Sequence, residues 1–319
     1  MMSPMIEKHD ALHPDSARLI EAFERDGVLP YDQLGVLRAR STVAGAARLQ
    51  GERAEVADVR DVLVGHGAGA IPARVYDPHP GQATPVLCYF HGGGFVTGSV
   101  QVADRACRAL AVESGWTIVS LEYRLAPESP YPAALDDCAR LVEWVHHDAA
   151  ELVVDAARLV LCGDSAGGAL AAATTHRLRA TPYAPAGQLL LYPTLAPVGP
   201  RRSPSITAYG GLPSLTVSSI DWFWHHYLPP SAAADPAAVP LLQTDLAGLP
   251  PTTVVVAGCD LLRDEGLDYA GRLRAAGTEV TTRVFDGAVH GFWWMDAALS
   301  QARELTAYLA ADLHRRAAG

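Results

Sequence analysis

Residues 159–168 read LVLCGDSAGG, and this stretch decides how the chain folds. A short apolar run over 159–162 is followed by the pentapeptide Gly-Asp-Ser-Ala-Gly over 163–167 and by a helix-like run over 168–180. A serine on a sharp strand-to-helix turn has strained backbone angles, which only small neighbouring residues tolerate. On its own the pentapeptide is also typical of a plain glycine turn. Its position after a strand favours a turn that lifts the hydroxyl of Ser165 clear of a sheet.

Short β-branched runs alternate with longer helix-like stretches from about residue 86 onward, which indicates parallel strands joined by crossover helices. Residues 58–64 and 71–76 are typical of an antiparallel edge pair. The segment 132–148 has apolar residues at helical spacing, so one face of this helix should lie on the sheet. The pattern predicts an α/β fold with a mostly parallel central sheet flanked by helices. Its predicted strands after the edge pair are 86–90, 117–121, 159–162, 188–192, 252–257 and 279–285.

Two segments do not follow this alternation. One lies within about residues 1–50 and is helical over 15–49, and the other is 196–240, which is rich in proline, serine and aromatic residues. We predict that they form a helical cap over the sheet. A length of 319 residues and an even composition fit a single domain over 1–319.

Charge and composition exclude several classes of function. The chain has 25 basic and 35 acidic residues, a formal net charge of −10 that opposes nucleic-acid binding. The start of the chain, Met1 to Asp10, has no apolar stretch behind it that would indicate a secretory signal, and no segment approaches the length of a membrane span, so we expect a soluble, cytoplasmic protein with no membrane partner. The five cysteines are odd in number and lack CxxC spacing, which argues against a zinc site or a disulfide framework. Whether the chain forms a homodimer stays open.

A second glycine-rich stretch, His91-Gly92-Gly93-Gly94-Phe95, directly follows the predicted strand 86–90. Acyl transfer requires backbone N–H donors aimed at a developing oxyanion, and glycines let the backbone approach that oxygen without side chains in the way. We assign the donors to the amides of Gly93, Gly94 and Ala166. Such a loop is also typical of a phosphate site or of a plain turn, but the usual nucleotide-binding glycine spacings are absent.

A nucleophilic serine needs a base of near-neutral pKa, and the base needs a carboxylate that orients it. Asp260 follows the predicted strand 252–257 and His290 follows 279–285, so both lie at carboxyl ends of strands, where open α/β sheets assemble their sites. We therefore predict Ser165 as nucleophile, His290 as general base and Asp260 as the orienting acid. The order serine, carboxylate, histidine along the chain is that of the α/β-hydrolases.

We interpret the other polar residues near these positions as structural. Asp264 and Asp286 are rival candidates for the acid, and we interpret both as surface or capping carboxylates. Asp164 is expected to be a structural hydrogen-bond partner next to the nucleophile. His91 is expected to fix the glycine loop, because the chemistry there needs backbone amides.

The chain resembles the hormone-sensitive-lipase-like esterases, also called family IV lipolytic enzymes. The resemblance covers residues 85–319 and implies the α/β-hydrolase fold, Asp260 as triad acid, and carboxylic-ester hydrolysis through an acyl-enzyme without metal or organic cofactor. Leu261 stands where the family usually has proline, and Ala169 where it often has asparagine. The motifs that carry the resemblance are HGGGF at 91–95, YRLAPE at 123–128, GDSAGG at 163–168, DLLRDEG at 260–266 and HGF at 290–292.

Aromatic residues are the candidates for substrate contact. Trp222, Phe223, Trp224 and Tyr227 form the densest aromatic cluster in the chain, although ordinary packing of a cap helix also explains it. The candidates that we single out are Trp222, Trp224 and Phe292. Because the predicted cap is too short for a large interfacial lid, we expect small-molecule esters of short to medium acyl chains as substrates.

Two other kinds of function stay open. An amidase, lactonase or acyltransferase would use the same triad, since these differ in leaving group and in access of water. A non-catalytic ligand-binding protein is the other alternative. The plant gibberellin receptors share the fold and the glycine loop that the resemblance implies but lack the triad histidine, so the presence of His290 argues against this class.

Overall fold

The structure, a computed structural model, describes residues 11–65 and 67–318. The first ten residues of the predicted cap segment lie outside the described residues. Within the described part, one sheet has the order β1-β2-β4-β3-β5-β6-β7-β8, and β2 is antiparallel to both of its neighbours while the other pairs are parallel. The strands are β1 (Asp58–Val64), β2 (Ile71–Asp77), β3 (Thr84–Phe90), β4 (Thr117–Leu121), β5 (Val154–Asp164), β6 (Gly187–Leu191), β7 (Thr252–Ala257) and β8 (Val280–Phe285).

The predicted mostly parallel sheet is confirmed, and β5 shows the largest difference in bounds. It begins at Val154, five residues before the predicted start, because its first residues extend the pairing with β3 past a register shift between Pro85 and Val86. Asp155 and Arg158 interrupt the apolar pattern there, so the pattern does not indicate a strand in this half-exposed part.

Helices cover both faces of the sheet, as predicted. Along β3, the side chains of Val86, Cys88 and Phe90 belong to one buried cluster, whereas Leu87 and Tyr89 belong to the cluster on the opposite face. None of the described helices is long and apolar enough to cross a lipid bilayer. The helices are α1 (Pro14–Arg25), α2 (Gly35–Gly45), α3 (Val100–Ser114), α4 (Ala133–His147), α5 (Ala149–Leu152), α6 (Ala166–Leu178), α7 (Pro204–Tyr209), α8 (Val217–Tyr227), α9 (Arg263–Ala275) and α10 (Ser300–Ala318).

The two segments that break the alternation each contain helices joined by irregular stretches, and they touch each other. The amide of Tyr31, between α1 and α2, donates to Oγ of Ser219 in α8 (3.0 Å). The first segment also packs elsewhere, because Ile20 of α1 is fully buried and the amide of His13 donates to the carbonyl of Gly287 (3.0 Å). A single domain with a two-part cap stays a prediction.

We expect Leu161→Ala to lower the free energy of unfolding by about 2–5 kcal/mol, because Leu161 is fully buried in β5 and its loss leaves a cavity. Val112→Ala in α3 is the control, since Val112 is 48% exposed and its loss should cost about 0.5 kcal/mol or less. Urea titration of both variants measures the difference. Equal losses would contradict the assignment of β5 to the core.

Candidate active site

Ser165 occupies the turn between β5 and α6, with φ 54° and ψ −117°. These angles lie in a strained region for a residue with a side chain. A Cβ atom at Gly163 would overlap the carbonyl of Gly167, and a Cβ atom at Gly167 would overlap the carbonyl of Phe90. The predicted strand–turn–helix setting is confirmed, and the two flanking positions need glycine because the backbones approach so closely.

The side chain of His290 lies between those of Ser165 and Asp260. Its Nε2 is 2.9 Å from Oγ of Ser165, and its Nδ1 is 2.7 Å from Oδ2 of Asp260. An ionised carboxylate only accepts hydrogen bonds, so Nδ1 carries the proton and Nε2 is free to accept from the serine hydroxyl. The amide of Leu262 donates to the other carboxylate oxygen of Asp260 (2.9 Å), which fixes the plane of the carboxylate.

Backbone hydrogen bonds tie together the two loops that carry Asp260 and His290. The amide of Gly258 donates to the carbonyl of Phe285 (2.8 Å), and the amide of Cys259 donates to the carbonyl of Ala288 (2.9 Å). Both loops follow adjacent parallel strands, β7 and β8, so they begin at the same edge of the sheet. The distance between the carboxylate and the imidazole is therefore set by backbone contacts as well as by the side chains themselves.

The rival carboxylates have other environments. Asp264 accepts from the amide of Ser205 (2.8 Å) and pairs with Arg263 (2.9 Å). The side chain of Asp286 is exposed. Asp260 is the carboxylate that the structure brings to His290, and the interpretation of Asp264 as a capping residue agrees with its contact to the start of α7.

The glycine loop lies beside the turn of Ser165. Asp164, which is buried, accepts from the amide of Gly92 (2.8 Å) and from the hydroxyl of Tyr89. Burial raises the pKa of Asp164 to about 6. The expected structural role of Asp164 is confirmed: it joins the turn of Ser165 to the loop that is predicted to hold the oxyanion.

His91 supports this loop from within the protein. Its Nδ1 donates to the carbonyl of Gly92 (2.7 Å), and its ring stacks on Tyr123 with 4.2 Å between centroids. Burial lowers the pKa of His91 to about 4, so the ring is neutral at pH 7. These contacts agree with a residue that fixes the loop.

The three aromatic candidates lie in different environments. Phe292 is fully buried and packs on Phe285, with 5.2 Å between ring centroids. Trp224 is buried and donates its indole N–H to Oγ1 of Thr194 (3.0 Å). Trp222 is half-buried, with its ring 4.5 Å from that of His226. Substrate contact by these three residues stays a prediction.

Two aromatic rings outside these three candidates lie against the glycine loop and His290. A Cβ atom at Gly94 would overlap the ring of Phe223, so this side chain of α8 lies against the glycine loop. The ring of Tyr192 lies 5.1 Å from the ring of His290, edge to face. Tyr192 directly follows β6 at the same sheet edge as the triad, which is a signal in the sequence. Which side chain of α8 faces Gly94 depends on how the helix is rotated about its axis, and the sequence gives no signal of that rotation.

Comparisons with known proteins give the family. A family model for the alpha/beta hydrolase fold matches residues 87–294. The carboxylic ester hydrolase LipN of Mycobacterium tuberculosis is 40% identical over 85% of this chain and 73% of its own length. The ethyl acetate hydrolase of Pseudomonas putida is 34% identical over 92% of this chain and 96% of its own. The solved structure of a hyperthermophilic esterase from the archaeon Pyrobaculum calidifontis aligns with a TM-score of 0.88 at 33% identity, over 97% of this chain and 99% of that one.

The span matched by the family model contains both glycine-rich stretches and the loops of Asp260 and His290, the same residues that the fold brings to one sheet edge. The chain belongs to the α/β-hydrolase fold family and, within it, to the hormone-sensitive-lipase-like carboxylic ester hydrolases.

Proposed function

We propose that the protein hydrolyses small-molecule carboxylic esters of short to medium acyl chain through an acyl-enzyme on Ser165. The observation that carries this proposal is the continuous hydrogen-bonded line from Ser165 through His290 to Asp260. His290 Nε2 takes the hydroxyl proton as Oγ attacks the ester carbonyl, and Asp260 stabilises the imidazolium that forms. The imidazolium then gives its proton to the leaving alcohol. A water deprotonated by the same nitrogen releases the acid and restores the serine.

The proposed oxyanion donors are the amides of Gly93, Gly94 and Ala166. Gly93 has φ 114° and Gly94 has φ 63°, a left-handed conformation that suits glycine. Ala166 is the first residue of α6, where the amide has no acceptor within the helix and the helix dipole favours negative charge. Donors of this kind act on the charge that develops in the transition state.

The proposed preference for short to medium acyl chains is supported by the rings around Gly94. Phe223 of α8 lies against this glycine, and the ring of Tyr31 from the first predicted cap segment lies 5.0 Å from that of Phe223. Side chains from both segments therefore restrict the space next to the proposed oxyanion donors. This arrangement suits a small ester that enters whole.

An amidase, lactonase or acyltransferase would use the same three side chains. The names of the relatives favour ester hydrolysis, and a comparison of matched esters and amides, with and without alcohol acceptors, separates these activities. The cytoplasmic location stays a prediction of the sequence, and whether the chain forms a homodimer stays open.

Ser165→Ala should lower kcat for a p-nitrophenyl ester by on the order of 10⁶-fold, because the nucleophile is lost while the turn keeps a small residue. Circular dichroism should show an unchanged fold. An esterase activity near that of the wild type in the folded variant would contradict the proposal.

Asp260→Asn should lower kcat by up to about 10⁴-fold, because an amide no longer holds the imidazole in the required tautomer. Asp264→Asn is the matched control, since Asp264 contacts Ser205 and Arg263 instead of the histidine. Steady-state kinetics of both variants distinguish the two carboxylates. A larger loss in Asp264→Asn would overturn the assignment of the acid.

Phe223→Leu should move the preference toward longer acyl chains, because a smaller side chain opens the space beside Gly94. We expect the ratio of kcat/KM for an eight-carbon to a two-carbon p-nitrophenyl ester to rise on the order of tenfold. His225→Leu, at an exposed position of the same helix, is the control and should leave the ratio nearly unchanged. If His225→Leu has the larger effect, or neither has any, Phe223 does not limit the pocket.

A further inference from the structure

The glycine loop contains backbone strain that continues beyond its glycines. Phe95 follows Gly93 and Gly94 and has φ 65°, so three successive residues are left-handed and the third carries a bulky side chain. Such a residue costs about 1–3 kcal/mol and persists only where surrounding contacts over-determine its conformation. Contacts with other parts of the protein are therefore needed to hold Phe95 in this conformation.

Some of these contacts come from the loop and from the motif YRLAPE at 123–128. The amide of Thr97 donates to the carbonyl of Gly93 (2.9 Å), which closes the turn. The amide of Ala126 donates to the carbonyl of Phe95 (2.9 Å). The motif thus lies directly against the strained residue Phe95. Its last residues, 126–128, have no other role in the proposed chemistry.

The ring of Phe95 also stacks on that of Tyr227, with 3.9 Å between centroids. Further hydrogen bonds come from one arginine in the N-terminal part of the chain. Nε of Arg40, in α2, donates to the carbonyl of Val96 (2.8 Å), and its Nη2 donates to the carbonyl of Ala126 (3.1 Å). The same guanidinium binds both carboxylate oxygens of Glu128, at 2.8 and 2.6 Å. Three groups from two separate loops are thus held by a single planar side chain, a geometry suited to the fixed fork of arginine.

The carboxylate of Glu128 orients the guanidinium and adds little stability of its own. Its side chain is 62% exposed, and exposed pairs of this kind contribute about 1 kcal/mol or less. The hydrogen bond from Arg40 lowers the pKa of Glu128 to about 2. The pair therefore stays ionised throughout the pH range in which a histidine base works, and the contact is not a pH switch.

We propose that Arg40 is a positioning residue for the oxyanion donors. By binding the carbonyls of Val96 and Ala126, it holds the strained segment from Gly93 to Phe95 in place next to Ser165. The inference rests on the proposed function, because it assumes that the amides of Gly93 and Gly94 bind the oxyanion. Arg40 acts through the loop and touches no reacting atom.

The test is the kinetics of Arg40→Met, which keeps an apolar stem and removes all four hydrogen bonds. We expect kcat to fall by about 10- to 100-fold, the scale of an error of an ångström or less in the position of a catalytic group. KM should stay nearly unchanged, because oxyanion donors act in the transition state. The pH midpoint of kcat/KM should also stay unchanged, since the histidine is untouched.

Arg38→Met is the matched control, because Arg38 lies in the same helix and is exposed. It should keep the wild-type kcat. Arg40→Lys keeps the charge but cannot reach the three groups at once, so it should recover only a small part of the lost kcat and serves as the main variant if Arg40→Met fails to fold. The melting temperature of each variant is measured as well. If Arg40 only holds α2 against the rest of the protein, its loss should lower the melting temperature and leave kcat unchanged.

A folded Arg40→Met with a lower melting temperature but the kcat of the wild type would overturn the inference, as would full recovery in Arg40→Lys. Ser165→Ala, measured in parallel, keeps the two proposals distinguishable. If wild-type activity does not depend on Ser165, the proposed function fails. If it does, and Arg40→Met equals Arg38→Met, the positioning role alone fails.

Discussion

The close approach of Gly167 to the carbonyl of Phe90 determines where the site can form. It brings the first turn of α6 against the end of β3, so the serine turn and the glycine loop occupy neighbouring positions on one sheet edge. Any side chain at Gly167 would separate them. The positions of Ser165 and of the proposed oxyanion donors depend on this backbone contact, and Asp164 reinforces it by accepting from the amide of Gly92.

The other half of the site follows from the order of the parallel strands. β7 and β8 are adjacent, and hydrogen bonds between the loops after them hold Asp260 next to His290. The N-terminal segment packs behind these loops, because the amide of His13 donates to the carbonyl of Gly287. It also reaches the glycine loop through Arg40. A segment that reads as a cap in the sequence therefore contacts loops on both sides of the triad.

Much of the fold, and the meeting of Ser165, Asp260 and His290 at one sheet edge, could be predicted, because both depend on local patterns. The apolar runs mark the strands, and Ser165, Asp260 and His290 each follow one of them. Because these strands are parallel, their carboxyl ends lie at the same edge of the sheet. Phe223 and Arg40 could not be singled out. The contact of Phe223 with Gly94 depends on how α8 is rotated about its axis, and Arg40 meets Val96 across 56 positions in the chain. Neither contact leaves a periodic or spaced signal.

We propose that the hydrogen-bonded line from Asp260 through His290 makes Ser165 the one reactive serine. Labelling the folded protein with a p-nitrophenyl phosphonate and mapping the adduct by mass spectrometry tests it directly, because such reagents phosphonylate an activated serine hydroxyl with loss of nitrophenolate. We expect one adduct per chain, on Ser165. An adduct on another residue, or none in a folded sample, would contradict it.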